Sequence, residues 1–194
     1  MRRSTVSKSR TIDRSKFDNS YYNPGPFWKR TLWYYVNAIF FLSPWFPFYG
    51  VKSFWLRRFG ARVGSGMKMK PRVNVKYPWF LTIGDDVSIG EGVWIDNLAQ
   101  VTLQDKVTLS QGALLLTGNH DYSSESFDLM TGDITISEGA WIGAKAIVGP
   151  GVTVGRNSVL ALGSMTTMDL DSDGIYAGSP ATFKKSRVIQ AAVS

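Results

Sequence analysis

From Val63 to Leu160 an aliphatic residue recurs at every sixth position and is followed by glycine or a small polar residue. Its members are Val63, Met69 and Val75, then Ile83, Ile89 and Ile95, then Leu103, Leu109 and Leu115. After a break come Ile136, Ile142, Val148, Val154 and Leu160. A strict six matches neither the 3.6-residue period of a helix nor the alternation of a single strand, so the repeat is itself the architecture, a solenoid. Four residues after most aliphatic positions stands a second, smaller apolar residue: Val73, Val87, Val93, Val107, Ala113, Ala140, Ala146 and Val152. It precedes the next aliphatic residue by two, so in extended chain both point inward. Gly64, Gly84, Gly90, Gly143, Gly149 and Gly155 directly follow the aliphatic residue, where a tight corner has no room for a large side chain.

The step is six within each triplet but eight from Val75 to Ile83 and from Ile95 to Leu103. Three sides therefore make one coil, and one corner accepts a two-residue insertion. Parallel stacking of roughly five coils at about 4.8 Å gives a prism about 24 Å tall. The pattern predicts an all-β chain divided into a basic tail over 1–16, an aromatic basic segment over 17–62, the solenoid over 63–166 with a loop at 121–135, and a short C-terminal segment over 167–194.

Charge sharpens this division, because the net +7 is unevenly spread. Residues 1–84 hold sixteen Lys and Arg against two acids, and residues 85–194 hold six against thirteen. The basic end is also the aromatic end, and Thr31 to Val51 carries no charge. Pro44 and Pro47 argue against one uninterrupted helix there. Two compatible readings follow: a helical cap over the open end of the solenoid, or an interfacial segment with Lys52, Arg57 and Arg58 facing an anionic membrane surface. The Ser-, Arg- and Lys-rich residues 1–16 read as disordered. Nucleic acid is not an expected partner, since no such motif is present and the excess charge lies outside the repeats. The absence of cysteine excludes disulfides and thiolate metal sites. Without an apparent signal peptide in the first thirty residues, the expected location is cytoplasmic, with the inner face of the membrane as a peripheral option.

The rhythm fails once for a long stretch, between Leu115 and Ile136, so residues 121–135 are expected to leave the prism as a functional loop. His120, the single histidine of the chain, stands at its mouth in Thr117-Gly118-Asn119-His120-Asp121-Tyr122.

These residues, with Ile95-Asp96-Asn97, Ser110-Gln111-Gly112, Gly139-Ala140-Trp141-Ile142-Gly143-Ala144, Gly149-Pro150-Gly151-Val152 and Ala177-Gly178-Ser179-Pro180-Ala181, resemble the colanic-acid and exopolysaccharide-biosynthesis O-acetyltransferases. Those are hexapeptide-repeat acyltransferases related to the maltose and galactoside O-acetyltransferases. Asp18-Asn19-Ser20 and Lys70 to Pro78 also match, so the similarity covers about residues 17–187. The resemblance implies a left-handed parallel β-helix, a homotrimer with its site between subunits, and acetyl transfer from acetyl-CoA, without metal, to a sugar or lipid-linked saccharide hydroxyl. By it His120 is the general base, which suits an alcohol that is a poor nucleophile at neutral pH. Asn97, Asp96 and Asp121 are then candidate acceptor-site residues, with Asp121 also able to hold the imidazole tautomer. Ala144, Leu162, Thr167 and Lys185 are candidates for coenzyme A, with Lys184 and Arg187 nearby. Backbone amides near Gly143 and Ala144 are candidates for the oxyanion.

Three rivals remain in view. Acyltransferases of the same fold acting on amino sugars or serine share the repeat. The γ-type carbonic anhydrases need three histidines around a metal, and this chain has one. A non-catalytic scaffold would want regular threonine or charged ladders on an outer face, and none is expected from the repeat.

Overall fold

The structure is a computed structural model that describes residues 11–190. The chain from Arg62 to Thr166 winds into a left-handed parallel β-helix of five complete coils with three faces. The first face stacks Arg62–Val63, Leu81–Ile83, Val101–Leu103, Ile134–Ile136 and Thr153–Val154. The second stacks Lys68–Met69, Ser88–Ile89, Thr108–Leu109, Trp141–Ile142 and Val159–Leu160, and the third Asn74–Val75, Trp94–Asp96, Leu114–Leu116, Ile147–Val148 and Met165–Thr166. A partial sixth turn follows, with Leu170 bridged to Val154 and strand Gly174–Gly178 beneath Val159–Leu160. The solenoid thus runs beyond residue 166, and Ala181–Ser186 folds back on it as an antiparallel hairpin.

The inward pattern explains the coil. Every aliphatic position of the repeat except Val63 is at most 2% exposed, and so are the eight smaller residues that alternate with them. The glycines after the aliphatic residues answer to the next coil: a Cβ on Gly143 would lie 2.5 Å from the Leu162 nitrogen. The outer face of the first sheet corrects one expectation. Thr82, Thr102, Thr135 and Thr153 stand side by side in register, so a threonine ladder is present. Its signal was the Thr-aliphatic pair that opens every coil after the first, and β-branched residues suit a pleated surface.

The corner between the third and first faces differs from the others. In the first coil it carries the short helical turn Pro78–Phe80, whose irregular backbone has no ladder partner. Asn97, fully buried one coil below, supplies the missing bonds: its Nδ2 donates to Tyr77 O at 2.6 Å and Phe80 O at 3.0 Å, and its Oδ1 accepts from Tyr77 N at 3.0 Å. Thr117, also fully buried, repeats the device one coil further, donating to Asp96 O and accepting from Ala99 N at 3.0 Å each. Asp133 Oδ1 then accepts from Gln100 N at 3.0 Å.

Helix α1 (Phe27–Val36), which continues through a π-helical stretch to Leu42, and helix α2 (Tyr49–Arg58) close the open end. The first coil leaves carbonyls with no strand above them, and a cap side chain answers on each face. Arg57 donates to Val63 O at 2.7 Å and Gly64 O at 2.9 Å. Lys52 donates to Met69 O at 3.1 Å and Lys70 O at 2.7 Å, and Trp33 Nε1 to Val75 O at 2.8 Å. Of the two readings of this segment, the cap over the solenoid end describes Lys52 and Arg57, which are turned onto the first coil; Lys52 is fully buried. No helix among the described residues is long and apolar enough to cross a membrane.

Residues 1–10 of the expected disordered tail lie outside the described residues. Residues 11–16 are not loose, because Arg14–Lys16 forms a helical turn that docks on the loop described next.

Candidate active site

The third corner opens after Leu116 into an antiparallel hairpin, Gly118–His120 with Leu129–Thr131, and the chain is back in the wall at Ile134. The excursion therefore starts earlier than residue 121, and 134–135 belong to the solenoid. His120 ends the outgoing strand, half-buried, opposite Leu129.

The loop holds the imidazole in one tautomer. His120 Nδ1 lies 3.0 Å from Phe127 O, and a carbonyl only accepts, so the proton sits on Nδ1 and the Nε2 lone pair is available. The Phe127 ring stacks on the imidazole at 4.6 Å and 7°, and the Phe17 ring lies 6.0 Å away. Phe127 adopts φ 55°, a left-handed conformation costly for a bulky residue. That turn aims both its ring and its carbonyl at His120, which is where local strain gathers in functional sites.

The N-terminal segment straps this loop. Asp13 N–H donates to Glu125 O at 2.8 Å, Lys16 pairs with Glu125 at 2.8 Å, Asp18 N–H donates to Asp128 Oδ1 at 3.0 Å, and the Tyr21 hydroxyl donates to Leu129 O. The Arg14 guanidinium lies over the Phe127 ring at 5.8 Å.

The three candidates for the acceptor site fall in different places. Asp121 does not hold the imidazole; its Oδ1 accepts from the Ser123 hydroxyl and amide and from Ser124 N, and these bonds, the Ser123 hydroxyl foremost, keep its carboxyl below the usual range. Asn97 is committed to the corner above it, with no positive φ. Asp96, 8% exposed, lines a cleft of about 360 Å³ between α1 and the third face, beside Arg30, Tyr34, Lys76 and Trp94. Lys76 Nζ stands 2.9 Å from Asp96 Oδ1, yet that oxygen and the buried Arg30 Nε lack a well-directed hydrogen bond. Aromatic walls around a carboxylate and a guanidinium are suited to a polyol. Asp96 is paired with Leu116, four residues before His120, which puts the cleft beside the root of the hairpin.

The coenzyme candidates are also divided. Ala144 and Leu162 stack in successive coils at the corner between the second and third faces, joined by the Gly163 N–H to Ala144 O bond of 2.8 Å. Thr167 lies across the third face, on the corner that carries the hairpin, and Lys185 is exposed on the C-terminal strand. Gly143 N–H is spent on Leu160 O at 2.8 Å. Arg187 is tied to Gly139 O and Asn157 O at 3.0 and 2.9 Å, away from any phosphate role. Lys184 donates to the Thr182 hydroxyl at 2.9 Å. Sequence reasoning missed Phe127, Phe17 and the strap; the match at Asp18-Asn19-Ser20 was the one available signal.

No family model matches the chain. The protein named colanic acid biosynthesis acetyltransferase WcaF of Escherichia coli K12 is 35% identical over 162 residues, covering 82% of this chain and 88% of that protein. The galactoside O-acetyltransferase of the same organism is 30% identical over 123 residues, covering 62% and 61%. A hexapeptide-repeat-containing acetyltransferase from Vibrio cholerae, solved with acetyl coenzyme A, shares the fold with a TM-score of 0.74 at 22% identity, over 83% of this chain and 88% of that one. A galactoside acetyltransferase solved with coenzyme A gives 0.73 at 25%, over 81% and 80%. Repeat, corner hairpin and these relatives together place the chain in the hexapeptide-repeat acetyltransferases, the family that includes the protein named WcaF.

Proposed function

We propose that this chain transfers the acetyl group of acetyl-CoA to a saccharide hydroxyl, with His120 Nε2 as general base. The observation that carries the reading is the Nδ1-to-carbonyl bond from His120 to Phe127, which puts the neutral ring's proton on Nδ1 and makes Nε2 its basic nitrogen. The acceptor oxygen attacks the thioester carbonyl as its proton passes to Nε2, forming the new ester bond. The C–S bond then breaks, and the imidazolium returns the proton to the departing thiolate, so coenzyme A leaves as the thiol. The donor is supported by relatives solved with acetyl coenzyme A or coenzyme A, and the sugar by relatives named for colanic acid and galactoside acetylation. Asp96 is the acceptor contact on this reading, as the carboxylate of the cleft beside Lys76 and Arg30.

His120 and the Ala144 corner lie on opposite edges of the third face, so one chain does not close the site. The outward residues of that face, Trp94, Leu114, Ile147 and Met165, form an apolar column in register. Such a column supports a homotrimer in which the His120 corner of one subunit meets the Ala144 corner of the next. The Ala144 N–H then becomes the oxyanion donor, because unlike the Gly143 amide, which is bonded to Leu160 O of the next coil, it makes no backbone hydrogen bond among the described residues.

The test is release of the coenzyme A thiol from acetyl-CoA, followed with a panel of nucleotide sugars and oligosaccharides, for wild type and His120→Ala in parallel. Acceptor-dependent release that depends on His120 supports the reading. Release that survives the substitution assigns the base elsewhere, and no release with acetyl-CoA bound points to another acceptor class.

A further inference from the structure

The outward side of the cap is not used by the catalytic reading, and it is unusual for a protein surface. Trp28, Leu32, Tyr35 and Ile39 face away from the solenoid along α1 and its π-helical extension, all at least 50% exposed. Past the helix, the turn between Pro44 and Pro47 holds out Trp45, 84% exposed, and Phe48 follows at 63%. Single exposed apolar residues are ordinary, but a contiguous set marks an interaction surface. A groove of about 340 Å³ runs between the two helices, floored by Phe54 and Trp55, with Lys29 and Arg58 among its lining.

Charge decides what this surface meets. From Asn19 to Gly84 there are ten Lys and Arg and no acidic residue. Even with Lys52 and Arg57 turned inward, Arg58, Arg62, Lys68, Lys70 and Arg72 are exposed around the cap. Two copies joined through their caps would set like charge against like, whereas an anionic surface is attracted to both features at once. Tryptophan and tyrosine bordered by arginine and lysine is the composition that settles at lipid headgroup depth.

We infer that the outer face of the cap is a docking surface for an anionic lipid bilayer, with Trp45 and Phe48 entering the interface and Arg58 and Arg62 at the headgroup phosphates. The chain lies on the membrane without spanning it, and the groove between the helices accepts an acyl chain. The cations are drawn to the negative potential of such a surface, an attraction that fades beyond a Debye length. The inference rests on the cap alone, so it stands or falls apart from the acetyl-transfer reading.

Flotation of the full chain with vesicles of phosphatidylcholine, with and without phosphatidylglycerol, tests it. The expected result is binding to the anionic vesicles, lost at high salt, with a blue shift of tryptophan emission. The pair R58E/R62E should lower the bound fraction about tenfold or more, two reversed charges at the surface. Trp45→Ser with Phe48→Ser should abolish the emission shift. Both variants should melt as wild type does and keep their activity on a soluble acceptor. No binding, or equal binding to neutral vesicles, overturns the inference. So does quenching data showing Trp45 already shielded without lipid, because a second copy would then own the surface.

Discussion

Two corners of the same prism are built in opposite ways. Between the first and second faces the step from one aliphatic residue to the next is six in every coil, from Val63 to Met69 through Val154 to Leu160. Between the third and first faces it is eight, eight, twenty-one and then six, counting from Val75, Ile95, Leu115 and Val148. At the constant corner the backbone pairs coil to coil without interruption: Asp86 N to Ser65 O, Lys106 N to Asp85 O, Gly139 N to Asp105 O and Asn157 N to Glu138 O, all between 2.8 and 3.0 Å. At the variable corner insertions break that ladder, and buried Asn97 and Thr117 replace it with side-chain bonds. A buried backbone group must be paired wherever it lies. A solenoid can therefore grow an excursion only where side chains take over the pairing, and that is the corner from which His120 projects.

If chemistry and support are separate at this corner, His120→Ala should remove activity and leave stability alone. The expected loss in acceptor-dependent thiol release is about a hundredfold or more, the usual scale of a lost general base. The melting temperature should stay at the wild-type value, since the imidazole makes one side-chain hydrogen bond in a half-buried hairpin.

Asn97→Leu should do the reverse. It strips three hydrogen bonds from a fully buried corner and leaves Tyr77 and Phe80 groups unpaired, so a cost of about 3 kcal/mol is expected in denaturant unfolding. Activity per folded molecule should survive. If thiol release falls as steeply as in His120→Ala while stability holds, Asn97 is an acceptor residue after all and the division of labour is wrong.

The difference between the corners also explains what could be read without a structure. The constant corners and the three faces were legible because a solenoid coil repeats one small environment, and Ile83, Leu103 and Ile136 are the same residue in physical terms. The variable corner was legible as a failure of that rhythm, which located His120 but not its neighbours. Phe127 and Phe17 reach the imidazole from loop and strap, segments whose positions depend on contacts such as Asp13 with Glu125, more than a hundred residues apart. The resemblance implies an acceptor role for Asn97, and residue type alone does not separate a buried side chain that pairs backbone from one that meets a ligand. Lys52 and Arg57 stayed ambiguous in the sequence for the same reason: a basic residue beside aromatics can serve lipid or an unpaired carbonyl, and only the open edge of the first coil tells which.

Phe127 sharpens the comparison within the hairpin itself. Its carbonyl bond to Nδ1 belongs to the backbone and survives substitution, but the parallel ring does not. Phe127→Leu should thus lower kcat about tenfold, worth 1.4 kcal/mol, by loosening the base, while KM for acetyl-CoA stays unchanged. Phe127→Tyr should restore kcat, which a loss of folding would not permit.

The smallest effect belongs to the end of the solenoid, the other place where the ladder stops. Lys52 pairs with two carbonyls and no carboxylate, and burial pulls its ammonium from 10.5 down to about 8. The unfolded chain keeps its proton up to the higher value, so between these two the folded state binds fewer protons than the unfolded. Stability contributed by this group must then rise with pH through that window, about 1 kcal/mol from pH 7 to 9. Unfolding curves across the window, with Lys52→Met subtracted to cancel every other titrating group, measure that slope. A flat difference would mean that the three carbonyl-capped edges are wet, and that the cap closes the prism more loosely than Arg57, Lys52 and Trp33 suggest.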